Sequence, residues 1–294
     1  MSKRFTGYLF VLIAATLWGT LGVFYKFLAS SYLLSSLEIV FWRALFASLF
    51  TFFLLGLWRR NELAIPRQKI SLFIAIGVLG IAAFYILYIY AINTIGMGVS
   101  SVLLYSAALW VMLFGFIFQG ERFERIKWLA LILALTGIVL IGQVYDYDEV
   151  RLSSLGFIAG LGAGLGYAAY ILLNKRISQY GYSTWTVNAY SLGIGAVVLL
   201  LLQKPMELRH MLTNPTTMVW LVILGIVPTL GGGLAFYAGL QRLPADNASI
   251  VATFEPVVAI TLGWIIFSER LDLPQIIGGI LVVGSVILVQ LPRE

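Results

Sequence analysis

The chain of 294 residues contains no cysteine and only one histidine, and each scarcity excludes a class of function. Without cysteine there can be no disulfide, zinc–thiolate site or thiol nucleophile. The histidine, His210, lies between two apolar runs, and the sequence contains neither an HExxH zinc motif nor a GxxxxGK[ST] nucleotide loop. We therefore expect no catalytic residue, no metal and no cofactor, which disfavours an intramembrane enzyme or an ATP-driven pump.

Charge is also scarce, since 11% of the residues are charged and 61% are hydrophobic, with a mean hydropathy of +0.96. Soluble domains carry about 25% charged residues, and a membrane helix needs about 20 apolar ones. The continuous runs do not alternate in polarity as barrel strands do. We predict an all-α membrane protein with ten transmembrane helices. They cover residues 5–28, 37–57, 70–92, 99–118, 126–142, 155–173, 184–202, 219–240, 248–267 and 275–291.

The 19 lysines and arginines give a net charge of +6 and are unevenly placed. If the ten runs cross alternately, most of the basic residues fall on the side of the N-terminus. Cytoplasmic connections carry this excess, so we expect both termini in the cytoplasm of a multi-pass inner-membrane protein. The charge then reflects membrane topology and gives no reason to expect a nucleic-acid partner. The first apolar run, at residues 5–28, is too long and too rich in aromatic residues for a cleaved signal peptide.

The two halves of the chain resemble each other. A shift of 148 residues aligns 96–123 with 244–271 without a gap, and a shift of 149 places the first run on the sixth, with Trp18 on Tyr167. Each half would hold five helices, an odd number, so the second half enters the membrane inverted. We expect repeats at 1–146 and 147–294 around a central cavity. Many secondary transporters have this architecture and bind substrate between the halves.

Glu255 stands near the middle of the ninth run and is followed by Pro256. A charged residue at such depth costs about 2.5–3.5 kcal/mol on insertion scales, and is a functional-site candidate by default. The carboxyl group is expected either to bind a substrate ammonium or to carry a coupling proton. A structural carboxyl bonded to a neighbouring helix is the alternative.

Aromatic residues in the interior runs are the second signal, because their rings could bind a cation or stack on an aromatic substrate. Most of the 8 tryptophans and 15 tyrosines must instead serve packing or the membrane interface. The aromatic candidates for substrate binding, beside Glu255, are Trp18, Tyr88, Tyr105, Tyr167 and Tyr237. The run 219–240 contains Pro228 and three consecutive glycines, which predict a bend.

Five short motifs occur in order: Trp18-Gly19, Arg43, Glu121-Arg122-Phe123, Glu255-Pro256 and Ser268-Glu269-Arg270-Leu271. Together they resemble the EamA branch of the drug/metabolite transporter superfamily over essentially the whole chain. The resemblance implies two inverted five-helix halves, transport of small metabolites such as amino acids, often export, and a cavity lined by helices one, three, four, six, eight and nine. One departure is that the first half has Ala107-Ala108 where the second has Glu255-Pro256.

Arg43 lies on the second helix, which this resemblance makes peripheral, so a structural contact is its favoured interpretation and carboxylate binding the alternative. Lys26 and Lys175 lie at helix ends and are expected to reach the interface.

The leading interpretation of function is a secondary transporter that moves a small metabolite across the cytoplasmic membrane by alternating access, as an exporter. The expected substrate is an amino acid or a related zwitterionic or cationic amine. Import of a quaternary amine or another organic cation is the alternative. A channel would need a ring of filter residues, which the sequence does not supply. The expected partners are the small molecule, membrane lipid and a coupling proton, with the chain a monomer or weak homodimer.

Overall fold

The computed structural model describes residues 3–119, 124–145, 153–204 and 214–291. Three earlier features lie outside these ranges: the motif Glu121-Arg122-Phe123, His210 and the repeat boundary at 146/147. Within the ranges every regular element is a helix, which confirms the predicted fold class. The helices are α1 (Lys3–Gly19, Leu21–Tyr32), α2 (Ser36–Trp58), α3 (Arg67–Gly77, Val78–Ala83, Phe84–Ile95), α4 (Met97–Tyr105, Ala107–Gln119), α5 (Arg125–Ile141), α6 (Ser154–Ser178), α7 (Thr184–Leu200), α8 (Pro215–Leu224, Gly225–Gly231, Gly232–Leu240), α9 (Ala245–Ala252, Glu255–Phe267) and α10 (Leu273–Gln290), with a 3₁₀ turn (Arg60–Leu63) after α2.

Eight of these helices, within the described ranges, are long and apolar enough to cross a membrane. The other two, α5 and α7, have 17 residues each. At 1.5 Å per residue such a helix is about 26 Å long, the lower limit for a bilayer core of about 30 Å. The crossing of α5 and α7, and with it the count of ten spans, therefore stays a prediction.

Several helices are interrupted rather than straight. Helices α3 and α8 each contain a π-helical segment, at Val78–Ala83 and Gly225–Gly231. The second contains Pro228, which lacks a backbone donor, so a bend predicted from this proline coincides with a break in the regular hydrogen-bond pattern. Helices α4 and α9 each divide near mid-length, at Ser106 and at 253–254.

These interruptions fall at equivalent positions in the two halves. A shift of 148 residues carries Met97–Tyr105 onto 245–253, which contains the whole of Ala245–Ala252, and carries Ala107–Gln119 onto Glu255–Phe267. The same shift superposes the π segment of α3 on that of α8. Helix α4 has no proline at its break, so the division is a property of the repeat and not of Pro256 alone.

Packing between the helices follows the same pairing. Helix α5 lies against α10 and α2 lies against α7, which pairs each helix with its own repeat mate. Helix α1 packs on α8, and its mate α6 packs on α3. Gly137 and Gly278 allow the backbones of α5 and α10 to touch, because a methyl group on either would lie 2.6 Å from the carbonyl oxygen of the other. The structure is thus a two-repeat helical bundle.

Asp272 joins the ends of α5 and α10. Its carboxylate caps the first turn of α10 by accepting from the Gln275 backbone at 2.8 Å, and it accepts from Gln143 Nε2 at 3.0 Å and Tyr145 Oη at 2.7 Å. Partial burial raises the pKa of Asp272, but these hydrogen bonds outweigh that effect and hold its pKa below the usual value. The ionised form therefore stabilises the fold.

We expect Asp272→Ala to lower thermal stability by roughly 1–2 kcal/mol, the usual effect of losing a helix cap. The contribution is present above the ordinary aspartate pKa of about 3.9 and is lost as the pH falls through the lower native pKa. Thermal unfolding in detergent at pH 7, 5 and 3 measures this. The difference in Tm between wild type and variant should be equal at pH 7 and 5 and smaller at pH 3, and a difference that grows at pH 3 would contradict the assignment.

Candidate functional site

A cavity of about 750 Å³ lies between the two halves of the bundle. Its volume is in the range of small-molecule sites. Helices α1, α3, α4, α6, α8 and α9 line it, as the family resemblance implies, and residues of α2, α5 and α7 complete the wall. The cavity therefore brings together side chains from both repeats.

The cavity extends to one end of the bundle, which we call the open end, where Lys26 and Glu269 lie in its wall. Their side chains are 53% and 51% exposed and form an ion pair with 2.5 Å between Nζ and Oε1. At the opposite end, the closed end, Tyr8, Lys127 and Asp246 are buried and do not line the cavity. The cavity is thus accessible from one side of the bundle.

Glu255 lies in the cavity wall. Tyr105 and Arg43 line the same cavity. Glu255 is the first residue of the second part of α9, so its carboxylate sits at the positive end of a helix dipole. The site thus offers a carboxyl group that is positioned by the N-terminus of this part of α9.

The local sequence explains why the chain breaks at this point. Thr253 and Phe254 close tight turns with the carbonyl groups of Ile250 and Val251, and Pro256 has no backbone donor to continue the regular pattern. Gly19 of α1 packs against the break, since a methyl group there would lie 3.0 Å from the carbonyl oxygen of Glu255. Trp18-Gly19 and Glu255-Pro256, motifs far apart in sequence, therefore meet.

Aromatic rings form a continuous wall beside the carboxyl group. Trp18 meets Tyr167 edge to face, with 6.4 Å between ring centroids, and Phe84 stacks on Tyr167 at 5.5 Å. The ring of Phe236 packs against the ring of Trp18, with 5.1 Å between their centroids. Gly232 leaves room for the indole of Trp18, because a methyl group there would collide with Nε1. Rings in such pairs hold one another in place, so this wall is preformed.

The structure brings five of the six expected site residues to the cavity: Trp18, Tyr88, Tyr105, Tyr167 and Glu255. Tyr88 shares a hydrogen bond of 3.2 Å with Ser101 Oγ. Tyr167 is buried, and its hydroxyl has no hydrogen-bond partner among the described residues.

Tyr237, the sixth expected site residue, does not line the cavity. It is 1% exposed, and its hydroxyl donates to the carbonyl oxygen of Tyr182 at 3.3 Å. It packs with Phe73 and Ile177 near the closed end of the bundle. The physical reason is that α8 is apolar on all sides, so the sequence does not show which of its faces meets the cavity.

Several cavity residues come from helices that the sequence did not place there. Arg43 of α2 and Asn188 and Ser191 of α7 lie in the wall. The sequence did indicate Arg43 as a candidate site residue, because a cation inside a membrane helix is a functional-site candidate. Burying such an ion costs several kcal/mol unless its surroundings compensate.

The closed end is held by polar contacts between helices. Lys127 of α5 forms an ion pair with Asp246 of α9, with side chains 8% and 3% exposed, and a second with Glu124 at 3.1 Å. Asn247 hydrogen-bonds to Tyr8, whose hydroxyl donates to a backbone carbonyl oxygen of α10 at 2.9 Å. Breaking a buried ion pair by removing one partner costs about 3–5 kcal/mol, so these contacts stabilise the closed state of this end.

Comparison with known proteins gives the following matches. The profile of the EamA-like transporter family matches residues 5–143 and again 154–291. An uncharacterized transporter of Archaeoglobus fulgidus is 33% identical over 72% of this chain and 75% of its own length. The pseudopaline exporter CntI of Pseudomonas aeruginosa is 26% identical over 86% of each chain, and protein RarD of Escherichia coli is 27% identical over 90% of this chain and 86% of its own length.

A solved crystal structure shares the fold, with a TM-score of 0.78, 17% sequence identity and coverage of 97% of this chain and 96% of that chain. At this identity the similarity concerns the fold alone. The helical fold therefore also occurs in a protein of distant sequence.

Proposed function

The chain belongs to the EamA-like transporter family, and on this premise we propose that it exports a small zwitterionic or cationic amine, such as an amino acid, by alternating access. It is a multi-pass integral membrane protein with a small-molecule substrate and a lipid environment. We propose that it acts as a secondary transporter, without a catalytic step, and as a monomer, because the cavity is built within one chain.

The observation that carries the proposal is the carboxylate of Glu255 in an aromatic cavity between the halves. An ammonium group beside Glu255 gains a charge-assisted hydrogen bond, worth about 1.5–3 kcal/mol. Contact of the same cation with the faces of Trp18 or Tyr167 adds about 0.5–2 kcal/mol per ring. The apolar part of the substrate lies along the same wall.

The direction of transport rests on the orientation of the chain. With the N-terminus in the cytoplasm, the closed end is the cytoplasmic end and the open end faces outwards. In this state a substrate bound at Glu255 is released to the outside. A relative is named as an exporter, which favours export over import. We further propose that Glu255 takes up a proton after release, so that a proton and the substrate ammonium occupy it alternately.

The experiment that tests the function is counterflow transport in proteoliposomes that contain the purified protein. Radiolabelled amino acids, their decarboxylated amines and quaternary amines such as choline are compared one by one. Exchange of an amino acid or primary amine supports the proposal. Exchange of quaternary amines alone would favour the alternative, import of an organic cation, since an aromatic cage also suits such ions. No exchange of any amine contradicts both.

Trp18→Ala is expected to weaken substrate affinity by about 5- to 30-fold, the effect of losing roughly 1–2 kcal/mol of ring contact. Transport at saturating substrate should fall less, because the position of Glu255 is unchanged. Concentration-dependent uptake measures both quantities. Trp58→Ala is the matched control, since Trp58 is 75% exposed at the end of α2 and lies outside the cavity. Equal affinity in Trp18→Ala and wild type would remove the aromatic wall from the site.

A further inference from the structure

Arg43 is a buried cation in the cavity wall, and it forms no ion pair with a carboxylate of the described residues. Arg43 is 4% exposed, and it lines the cavity from α2. Among the described residues no carboxylate oxygen lies within 4.0 Å of its guanidinium nitrogens. The nearest acid in sequence, Glu38, is engaged elsewhere, because it accepts from the backbone of Ser35 at 2.8 Å in the cap of α2.

Neutral groups hold the guanidinium in place. It lies over the ring of Tyr85 at 4.5 Å and over that of Tyr25 at 5.8 Å. Nη1 is 3.4 Å from the hydroxyl oxygen of Thr229, which itself donates to the carbonyl oxygen of Leu224 at 2.8 Å. The Nε atom has no hydrogen-bond partner among the described residues. These contacts orient the cation, but none of them is with a carboxylate.

Glu255 carries the opposite charge on the same cavity. The two groups act on each other electrostatically, yet they do not form an ion pair. Two side chains that carry opposite charges when ionised therefore line one cavity. A molecule with an ammonium and a carboxylate group complements both at once, whereas a simple amine complements only Glu255.

We propose that Arg43 binds the carboxylate of the substrate, so that the cavity selects zwitterions over amines that lack a carboxylate. Arginine suits this role because its planar guanidinium donates two parallel hydrogen bonds to a carboxylate. The contact with the ring of Tyr85 holds the guanidinium in position before the substrate arrives, which lowers the entropic cost of binding. This inference rests on the proposed function and narrows its substrate class.

The first test uses the wild-type protein and matched pairs of probes. Leucine is compared with isopentylamine and with leucinamide, and phenylalanine with phenethylamine, as competitors of labelled amino acid in proteoliposomes. Each pair has the same apolar part and ammonium group but differs at the carboxylate. We expect the amino acid to compete at least 10-fold better than its partner. Equal competition would overturn the inference even if all probes are transported.

The second test uses Arg43→Gln, which removes the charge and keeps much of the side-chain length. The preference for leucine over isopentylamine should fall to about 1, because leucine loses the part of its affinity that Arg43 contributes, while the affinity for the amine is retained. Arg43→Lys should keep part of the preference, since a lysine carries the charge without the planar fork. Arg60→Gln is the matched control, because Arg60 is exposed beyond the end of α2 and donates to the carbonyl oxygen of Gly56 at 2.7 Å.

The outcomes separate this inference from the proposed function. If Glu255→Gln impairs transport but Arg43→Gln keeps the full preference for leucine, Arg43 is structural and only the inference fails. If wild type exchanges no amino acid and no amine, both fail. Should Arg43→Gln not fold, the wild-type competition by leucinamide still decides the question, since that measurement needs no variant.

Discussion

Glu255→Gln is expected to reduce amine transport by about 5- to 13-fold at subsaturating substrate. The substitution keeps the size of the side chain but replaces a charge-assisted hydrogen bond, worth about 1.5–3 kcal/mol, by a neutral one worth about 0.5–1.5 kcal/mol, a difference of roughly 1–1.5 kcal/mol. Uptake of labelled substrate into proteoliposomes over a range of concentrations gives the ratio of wild-type to variant transport. On the proposed mechanism the proton and the substrate ammonium compete for the carboxyl group of Glu255, so acidification should weaken wild-type binding and leave the variant unaffected.

Glu62→Gln is the matched control for this experiment. Glu62 pairs with Arg59 at 3.0 Å outside the cavity, and a surface pair of this kind contributes about 0–1 kcal/mol. The control should transport as wild type does and show the same response to pH. Unchanged transport and pH response in Glu255→Gln would mean that the carboxyl group has neither a substrate-binding nor a proton-carrying role.

Asp246→Asn is expected to open the closed end. The substitution leaves Lys127 buried with Glu124 as its remaining partner, and loss of one member of a buried pair costs about 3–5 kcal/mol. On the proposed alternating-access mechanism, opening this end exposes the lysine to water, so the substitution should raise the population of the open state. A shift of about 3 kcal/mol corresponds to more than 100-fold in the ratio of the two states.

Because the chain has no cysteine, one can be introduced as a reporter. Ala248→Cys places a thiol in the first part of α9, at a residue that is fully buried. Labelling by a membrane-impermeant maleimide should be slow in this background and much faster with Asp246→Asn. A third protein combines Ala248→Cys with Asp246→Leu and Lys127→Met. It lacks both charges of the ion pair, so its labelling should again be slow. Equal labelling in all three proteins would show that the ion pair does not hold this end closed.

The helical fold could be predicted from the sequence because the two halves of the chain resemble each other. The gapless match of 96–123 with 244–271 predicts that α4 and α9 are equivalent, and the structure divides both at the same position. Glu255 and Trp18 could also be placed at the cavity from sequence, since a membrane helix tolerates a carboxyl group mainly where it faces a polar interior.

The rest of the site could not be read from sequence for two physical reasons. Helices that are apolar on every side give no signal of which face is turned inwards, so Tyr237 and Tyr105 looked alike although only Tyr105 lines the cavity. The partnership of Lys127 with Asp246 depends on how α5 lies against α9, which charge distribution along the chain does not reveal. Likewise, α2 reaches the cavity only through the tertiary packing that places Arg43 there.

The equivalent interruptions in the two halves have a consequence for the state that is open to the cytoplasm. If each half adopts the shape that the other has now, Lys175 of α6 comes to occupy the rim as Lys26 of α1 does at present. The main chain then has closely similar geometry in both conformers, so its energy hardly distinguishes them. The preference between inward and outward access is left to the few side chains that differ at the two rims, and exchanging those residues between the halves should reverse the resting orientation.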